Sequence, residues 1–207
     1  MIIEVVLFFI LFMIAHTCEV YIKEYTALRD YYVLGLLVRL LIWTLPVVLL
    51  TLKQNSLRYL KLDKNIVRGV MIGLIAGLVL FALRSLIIYF MHGSIKMNLS
   101  IPVGTWLNVI LFVGLSEEVV FRGYLLQKIE SISTFWTANL ISAFLFFIMH
   151  LPVFFIVRHV GAFELLNEFR SMMMMGLLLG YLFKKSNSLW PCLIVHSINN
   201  FMCTVIN

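Results

Sequence analysis

Apolar residues fill long runs of this chain, and polar ones gather in the short intervals between them. A run of about 20 apolar residues, wound as a helix, matches the roughly 30 Å hydrocarbon thickness of a bilayer. Seven such spans are predicted, at 2–20, 32–52, 66–91, 103–126, 134–157, 171–183 and 189–206. The sixth is short, so it either tilts or continues from the polar stretch before it. That stretch, Arg158 to Arg170 with His159, Glu164 and Glu168, reads as an interfacial helix or a re-entrant connection. The predicted fold is all-α: a polytopic transmembrane bundle of about seven spans, occupying residues 1–207 as one domain, with no internal repeat.

Composition strengthens this reading. Of 207 residues 62% are hydrophobic and only 13% charged, with a mean hydropathy of +1.02. A soluble domain carries about a quarter of its residues charged, so the expected solvent is the lipid bilayer. Net charge is +6, but Lys53, Arg58, Lys61, Lys64 and Arg68 crowd one connection, as cytoplasmic loops do. No nucleic-acid partner is expected. Lys184-Lys185 agrees with that side, which places the N-terminus in the cytoplasm and leaves Lys23, Arg29, Lys96, Arg158 and Arg170 outside. Trp43, Trp106, Trp136 and Trp190 read as interfacial belt residues. The three cysteines read as small hydrophobes, and the Met172–Met175 run as a lipid-facing or packing stretch.

Charges inside spans are costly, so each is a functional candidate. Glu4 and Glu19 lie at span ends within reach of water. Arg39 and Arg84 are expected to snorkel or to pair internally, and His16 and His92 receive no role. The fourth span differs, because Ser116-Glu117-Glu118-Val119-Val120-Phe121-Arg122 places two adjacent carboxylates and an arginine among Leu, Val and Phe. Glu118 and Arg122 are four apart and share a helix face in the favourable order for an ion pair. Glu117 points about 100° away. The spacing therefore predicts one structural carboxylate and one available for chemistry. The fifth span brings His150 before Pro152, and the seventh brings His196 and Asn200, four apart on one face. Helix bundles build sites from facing helices, so these clusters are expected to converge.

At these residues the chain resembles the CPBP family of CaaX proteases and bacteriocin-processing enzymes, also called Abi. The shared pattern is E-E-x-x-x-R, F-x-x-x-H and H-x-x-x-N on successive helices, here Glu117-Glu118…Arg122, Phe146…His150 and His196…Asn200, with Gly123-Tyr124 after the arginine. The resemblance covers about 103–207 and implies an intramembrane endopeptidase. It implies Glu117 as general base for a water, His150 as the group orienting that water, and His196 and Asn200 as oxyanion donors. Glu118 and Arg122 would hold the helix. The expected substrate is a membrane-bound or exported peptide rather than a prenylated CaaX protein, in a bacterial plasma membrane, since a chain this short looks like the bacterial branch.

Two other functions stay open at this stage: a non-catalytic peptide-binding or bacteriocin self-immunity protein, and a proton-coupled transporter using Glu117, His150 and His196 as a relay. A cofactor is not favoured. Zinc is the alternative, held by Glu117, His150 and His196 with an open fourth position. Against zinc, no H-E-x-x-H occurs, and no carboxylate is assignable behind either histidine. Oligomeric state is not readable.

Overall fold

The computed structural model describes residues 2–26 and 31–206; Arg29 lies outside them. Among the described residues the chain forms eight helices: α1 (Ile2–Tyr25), α2 (32–54), the short α3 (Ser56–Tyr59), α4 (Ile66–His92), α5 (103–130), α6 (Phe135–Val157), α7 (Ala162–Ser186) and α8 (Trp190–Val205). Four of them (α1, Val33–Gln54 of α2, α4 and α6) are long and apolar enough to cross a membrane. Leu, Ile, Val and Phe side chains lie exposed along their outer faces. The fold is an all-α helical membrane bundle.

Two of the long helices are irregular where a proline intervenes. Proline lacks an N–H and its ring collides with the carbonyl four residues back. In α2 the turn ahead of Pro46 widens to π-helix over Leu40–Thr44, and in α6 the turn after Pro152 does so over Val153–Val157. The helix α5 is π-wound over Trp106–Val113 and Val119–Leu126, on either side of an α-helical turn at Gly114–Glu118. Wide turns of this kind concentrate at functional sites.

Lipid tails are as apolar as leucine, so helices in a membrane associate through close packing and shared polar bonds. Gly69, Gly73 and Gly77 form a smooth strip on α4 against α8. A Cβ at Gly73 would meet the Pro191 Cα at 2.8 Å, and one at Gly77 would meet the Ile198 side chain at 2.3 Å. Between α6 and α7, Gly176 lies on Ala143, Gly180 on Asn139, and Asn139 Nδ2 donates to the Leu177 carbonyl at 3.0 Å.

One end of the bundle gathers the 53–68 connection and the α7–α8 turn. Trp190 Nε1 donates to the Leu62 carbonyl, Asn65 Nδ2 to the Ser186 carbonyl and Arg68 to the Lys185 carbonyl. Lys184 pairs with Glu130, and Lys128 lies 3.9 Å from Glu4. Half of the chain's 16 lysines and arginines therefore sit at this end (Lys53, Arg58, Lys61, Lys64, Arg68, Lys128, Lys184 and Lys185).

Of the two alternatives for the sixth span, continuation from the preceding polar stretch is the one found: α7 starts at Ala162, and most of that stretch is its first turns, tied by Glu168 to Arg158 just after α6 at 2.6 Å. Two expectations need correction. Trp43 is no belt residue, being 1% exposed in the middle of α2. Glu19 does not reach water at a span end, because α1 runs on to Tyr25 and buries it to 3% exposure.

Candidate active site

Near the midpoint of α5, Glu117 and Glu118 are both buried and point to different neighbours. Glu118 Oε1 accepts two strong bonds, from Arg122 Nη1 at 2.7 Å and from His196 Nδ1 at 2.6 Å. Arg122 is 1% exposed, donates its other arm to the Gly176 carbonyl at 3.2 Å and lies 4.8 Å above the Phe146 ring. The predicted intrahelical pair is present, and it does more than neutralise itself. Through His196 it joins α5 to α8, and through Gly176 it joins α5 to α7.

Glu117 has looser surroundings. Its Oε2 lies 3.6 Å from His196 Nε2 and 3.8 Å from His150 Nε2, too far for direct hydrogen bonds. Its Oε1 faces Arg39 Nη1 of α2 at 3.4 Å. His150 Nδ1 lies 2.8 Å from the Phe146 carbonyl; a carbonyl only accepts, so the ring proton sits on Nδ1 and, in the neutral ring, Nε2 presents its lone pair toward Glu117. Phe146 is the common floor of the site, with His150 at 4.8 Å, His196 at 6.0 Å and Phe121 at 5.0 Å between ring centroids.

Gly114 matters for a local reason. A Cβ there would stand 3.4 Å from His196 Cγ, so this turn of α5 lies in van der Waals contact with the imidazole. Asn200 is placed one turn beyond His196, and its Nδ2 donates to the Val109 carbonyl at 2.9 Å. One of its two amide hydrogens is thus committed to α5.

A cavity of about 810 Å³ opens beside these groups. Its wall includes Glu117, His150, His196 and Asn200, with Arg84 from α4 and Met172 and Met175 from α7. Such a volume lies within the range of small-ligand and peptide sites. The Met172–Met175 run, read from sequence as a lipid-facing or packing stretch, contributes flexible side chains to this wall.

The four catalytic candidates and the Glu118–Arg122 pair come together, as do two residues given no such part from sequence. Arg39 pairs internally, with Glu117, and Arg84 lies 3.5 Å from Asn199 Oδ1 and 3.1 Å from Cys203 Sγ. Their signal in the sequence was a lone arginine within an apolar run; nothing there identified the partner. The carboxylate that could not be assigned behind a histidine is also found, as Glu118 behind His196.

The buried carboxylates are each matched by a cation: Glu19 by Lys23, Glu117 by Arg39 and Glu118 by Arg122. Pairing of this kind is what permits a low-dielectric interior to hold charge at all. Among the described residues, no three His, Cys, Asp or Glu side chains are gathered as a ready metal cage.

Residues 99–202 match the family model described as Rce1-like, type II CAAX prenyl endopeptidase. No curated protein and no solved structure matches the chain. The match spans half of the sequence and includes Glu117, Glu118, Arg122, His150, His196 and Asn200. The chain belongs to this family, within the CPBP intramembrane peptidases, and it is an integral membrane endopeptidase of the CAAX type acting on a peptide or protein in the membrane.

Proposed function

We propose that this Rce1-like endopeptidase hydrolyses a peptide bond of a membrane-bound or exported peptide with a water activated by Glu117. The observation that supports it is the convergence of His150 Nε2 and His196 Nε2 on one carboxylate oxygen beside the 810 Å³ cavity. A water held there donates one proton to Glu117 Oε2 and its other hydrogen toward the His150 lone pair. Its oxygen adds to the scissile carbonyl, and the proton passes to Glu117. The carbonyl electrons become an oxyanion, which takes hydrogen bonds from the free amide hydrogen of Asn200 and from His196 Nε2 in its doubly protonated form. When the tetrahedral adduct collapses, the C–N bond breaks and Glu117 returns the proton to the leaving amine. The carboxylate is regenerated and the products are an acid and an amine. Preorganised donors in a water-poor cavity stabilise such charge far better than bulk water does.

Glu117→Gln keeps the shape and removes the base. Cleavage of a candidate membrane peptide by the purified variant should fall to background while membrane accumulation stays normal. Full turnover by the variant would dispose of the assignment.

A second reading has an observation of its own. Both histidine Nδ1 atoms have acceptors, the Phe146 carbonyl and Glu118, which leaves both Nε2 lone pairs aimed at one place. Metal-ligating histidines are held in this way. Under this reading Glu117, His150 and His196 would hold zinc, which would supply an acidified water, and Glu118 would fix the orientation of His196.

A further inference from the structure

We infer that Arg39 is a positioning residue for Glu117, held in place by a buried clamp of Glu19, His16 and Trp43 that belongs to no part of the E-E-x-x-x-R, F-x-x-x-H and H-x-x-x-N pattern. The inference rests on Glu117 being the base.

The clamp starts on α1. Glu19 Oε2 accepts from Trp43 Nε1 at 3.1 Å and lies 3.3 Å from His16 Nδ1, while Lys23 neutralises Oε1 one turn further along. His16 stands edge-on to the Trp43 indole, 5.0 Å between centroids, and Phe12 does the same at 4.9 Å. The indole is therefore held at its nitrogen and by two rings set nearly perpendicular to it. Trp43 and Arg39 are four apart on α2, and the guanidinium carbon lies 4.7 Å from the indole centroid. A cation over an indole face is the strongest of the cation–π pairs, so a fixed indole gives the guanidinium a fixed seat.

From that platform Arg39 reaches α5. One amino group faces Glu117 Oε1 at 3.4 Å and Ser116 Oγ at 3.5 Å. Glu117 Oε1 is thereby occupied, and the carboxylate is turned so that Oε2 alone faces the two imidazoles. A carboxylate free to rotate would present either oxygen and would spend part of its time out of line with the water. Holding the reacting group in one pose is worth much of an enzymatic rate, and a displacement of about 1 Å costs about 10²-fold.

Arg39 also stands between two cavities. On one side Glu117 lines the 810 Å³ cavity; on the other, Arg39 lines a polar cavity of about 500 Å³ with His16, Glu19, Lys23, Glu24 and Val157. That second cavity lies between α1, α2 and the last turn of α6, at the end of the bundle away from the basic connections. It gives the guanidinium a polar face that is not part of the substrate cavity.

The test uses full-length protein in detergent, with kcat and KM expressed per folded molecule. Arg39→Gln should lower kcat about 10²-fold and leave KM within twofold, and Arg39→Lys should recover part of the loss. Guanidinium ion added to Arg39→Ala should restore part of kcat, whereas it should do nothing for Glu117→Gln. Trp43→Phe, which keeps the aromatic shelf but removes the bond to Glu19, should lower kcat about tenfold with normal accumulation. An Arg39→Gln enzyme of unchanged kcat, or one altered in KM alone, overturns the inference. So does an Arg39→Ala enzyme that is inactive and indifferent to guanidinium. If Glu117→Gln were active, the catalytic reading would fail instead, and that result is read separately from any Arg39 variant.

Discussion

Removing one member of the Glu118–Arg122 pair should cost more than removing both. The change Glu118→Leu leaves a guanidinium that is 1% exposed without its carboxylate. Breaking a buried pair in this way costs about 3–5 kcal/mol. Arg122 keeps the Gly176 carbonyl at 3.2 Å and the Phe146 face at 4.8 Å, which places the loss at the lower end. A value of about 3 kcal/mol is roughly a 10²-fold fall in the folding constant. Arg122→Met, which strands Glu118 with only His196 for a partner, should lose a similar amount. In the double variant both charges are gone and similar volumes fill the space, a replacement that is often neutral. What remains is the orphaned Nδ1 of His196, at about 1–3 kcal/mol. Unfolding in mild detergent titrated with a denaturing one, followed by the fluorescence of the four tryptophans, measures all three variants. The double variant should be no less stable than either single one. A double-variant loss equal to the sum of the single losses would show that the two residues are not coupled, and the argument would fail.

Three further outcomes are expected. Asn200→Ala should lower kcat about 10²–10³-fold with little change in KM, as loss of an oxyanion donor does; a rise in KM alone would reassign Asn200 to substrate binding. Single cysteines at Asn55 and Lys185, both exposed at the basic end, should resist an impermeant thiol reagent on intact cells, and one at Ser94 at the other end should react; the reverse pattern would refute the expectation that the basic end and the N-terminus face the cytoplasm. Elemental analysis of active, purified protein should find no stoichiometric zinc, and activity should survive chelation; zinc lost with activity and restored on re-addition would establish the metal reading in place of the glutamate one.

The parts of the site that were legible in the sequence are those where a charge interrupts an apolar run. Glu117, Glu118 and Arg122 stood out because lipid tolerates no idle carboxylates, and four-residue spacing separated the pair from the odd one. His150 and His196 were flagged by the same contrast, and convergence of their helices followed from bundle geometry. What escaped depends on contacts between residues far apart in the chain. Glu19 looked like a terminal residue because the apolar run ends near it, yet α1 continues through a polar turn that its partners Lys23 and Trp43 make tolerable. Trp43 fits a belt position by sequence spacing alone, and only the packing of α1 on α2 buries it. The start of α7 was left between two alternatives because Glu164, Glu168 and Arg170 read as polar on hydropathy; what decides it is a contact, the pairing of Glu168 back to Arg158. The glycine strip of α4 went unread, because spacing alone does not say which helix packs on it.

The one-to-one matching of buried charges also bears on how such a site changes over generations. Heredity alters one codon at a time, and a chain that has lost Arg122 or Glu118 alone must pass through a form with a stranded charge inside the bundle. Glu117 and Arg39 are tied in the same manner, though less tightly, at 3.4 Å rather than 2.7 Å. A lineage that abandons hydrolysis would therefore lose the looser Glu117–Arg39 pair first, while the tighter pair persists as scaffold. In such descendants the surviving acidic and basic positions on α5 would be the record of a chemistry no longer performed.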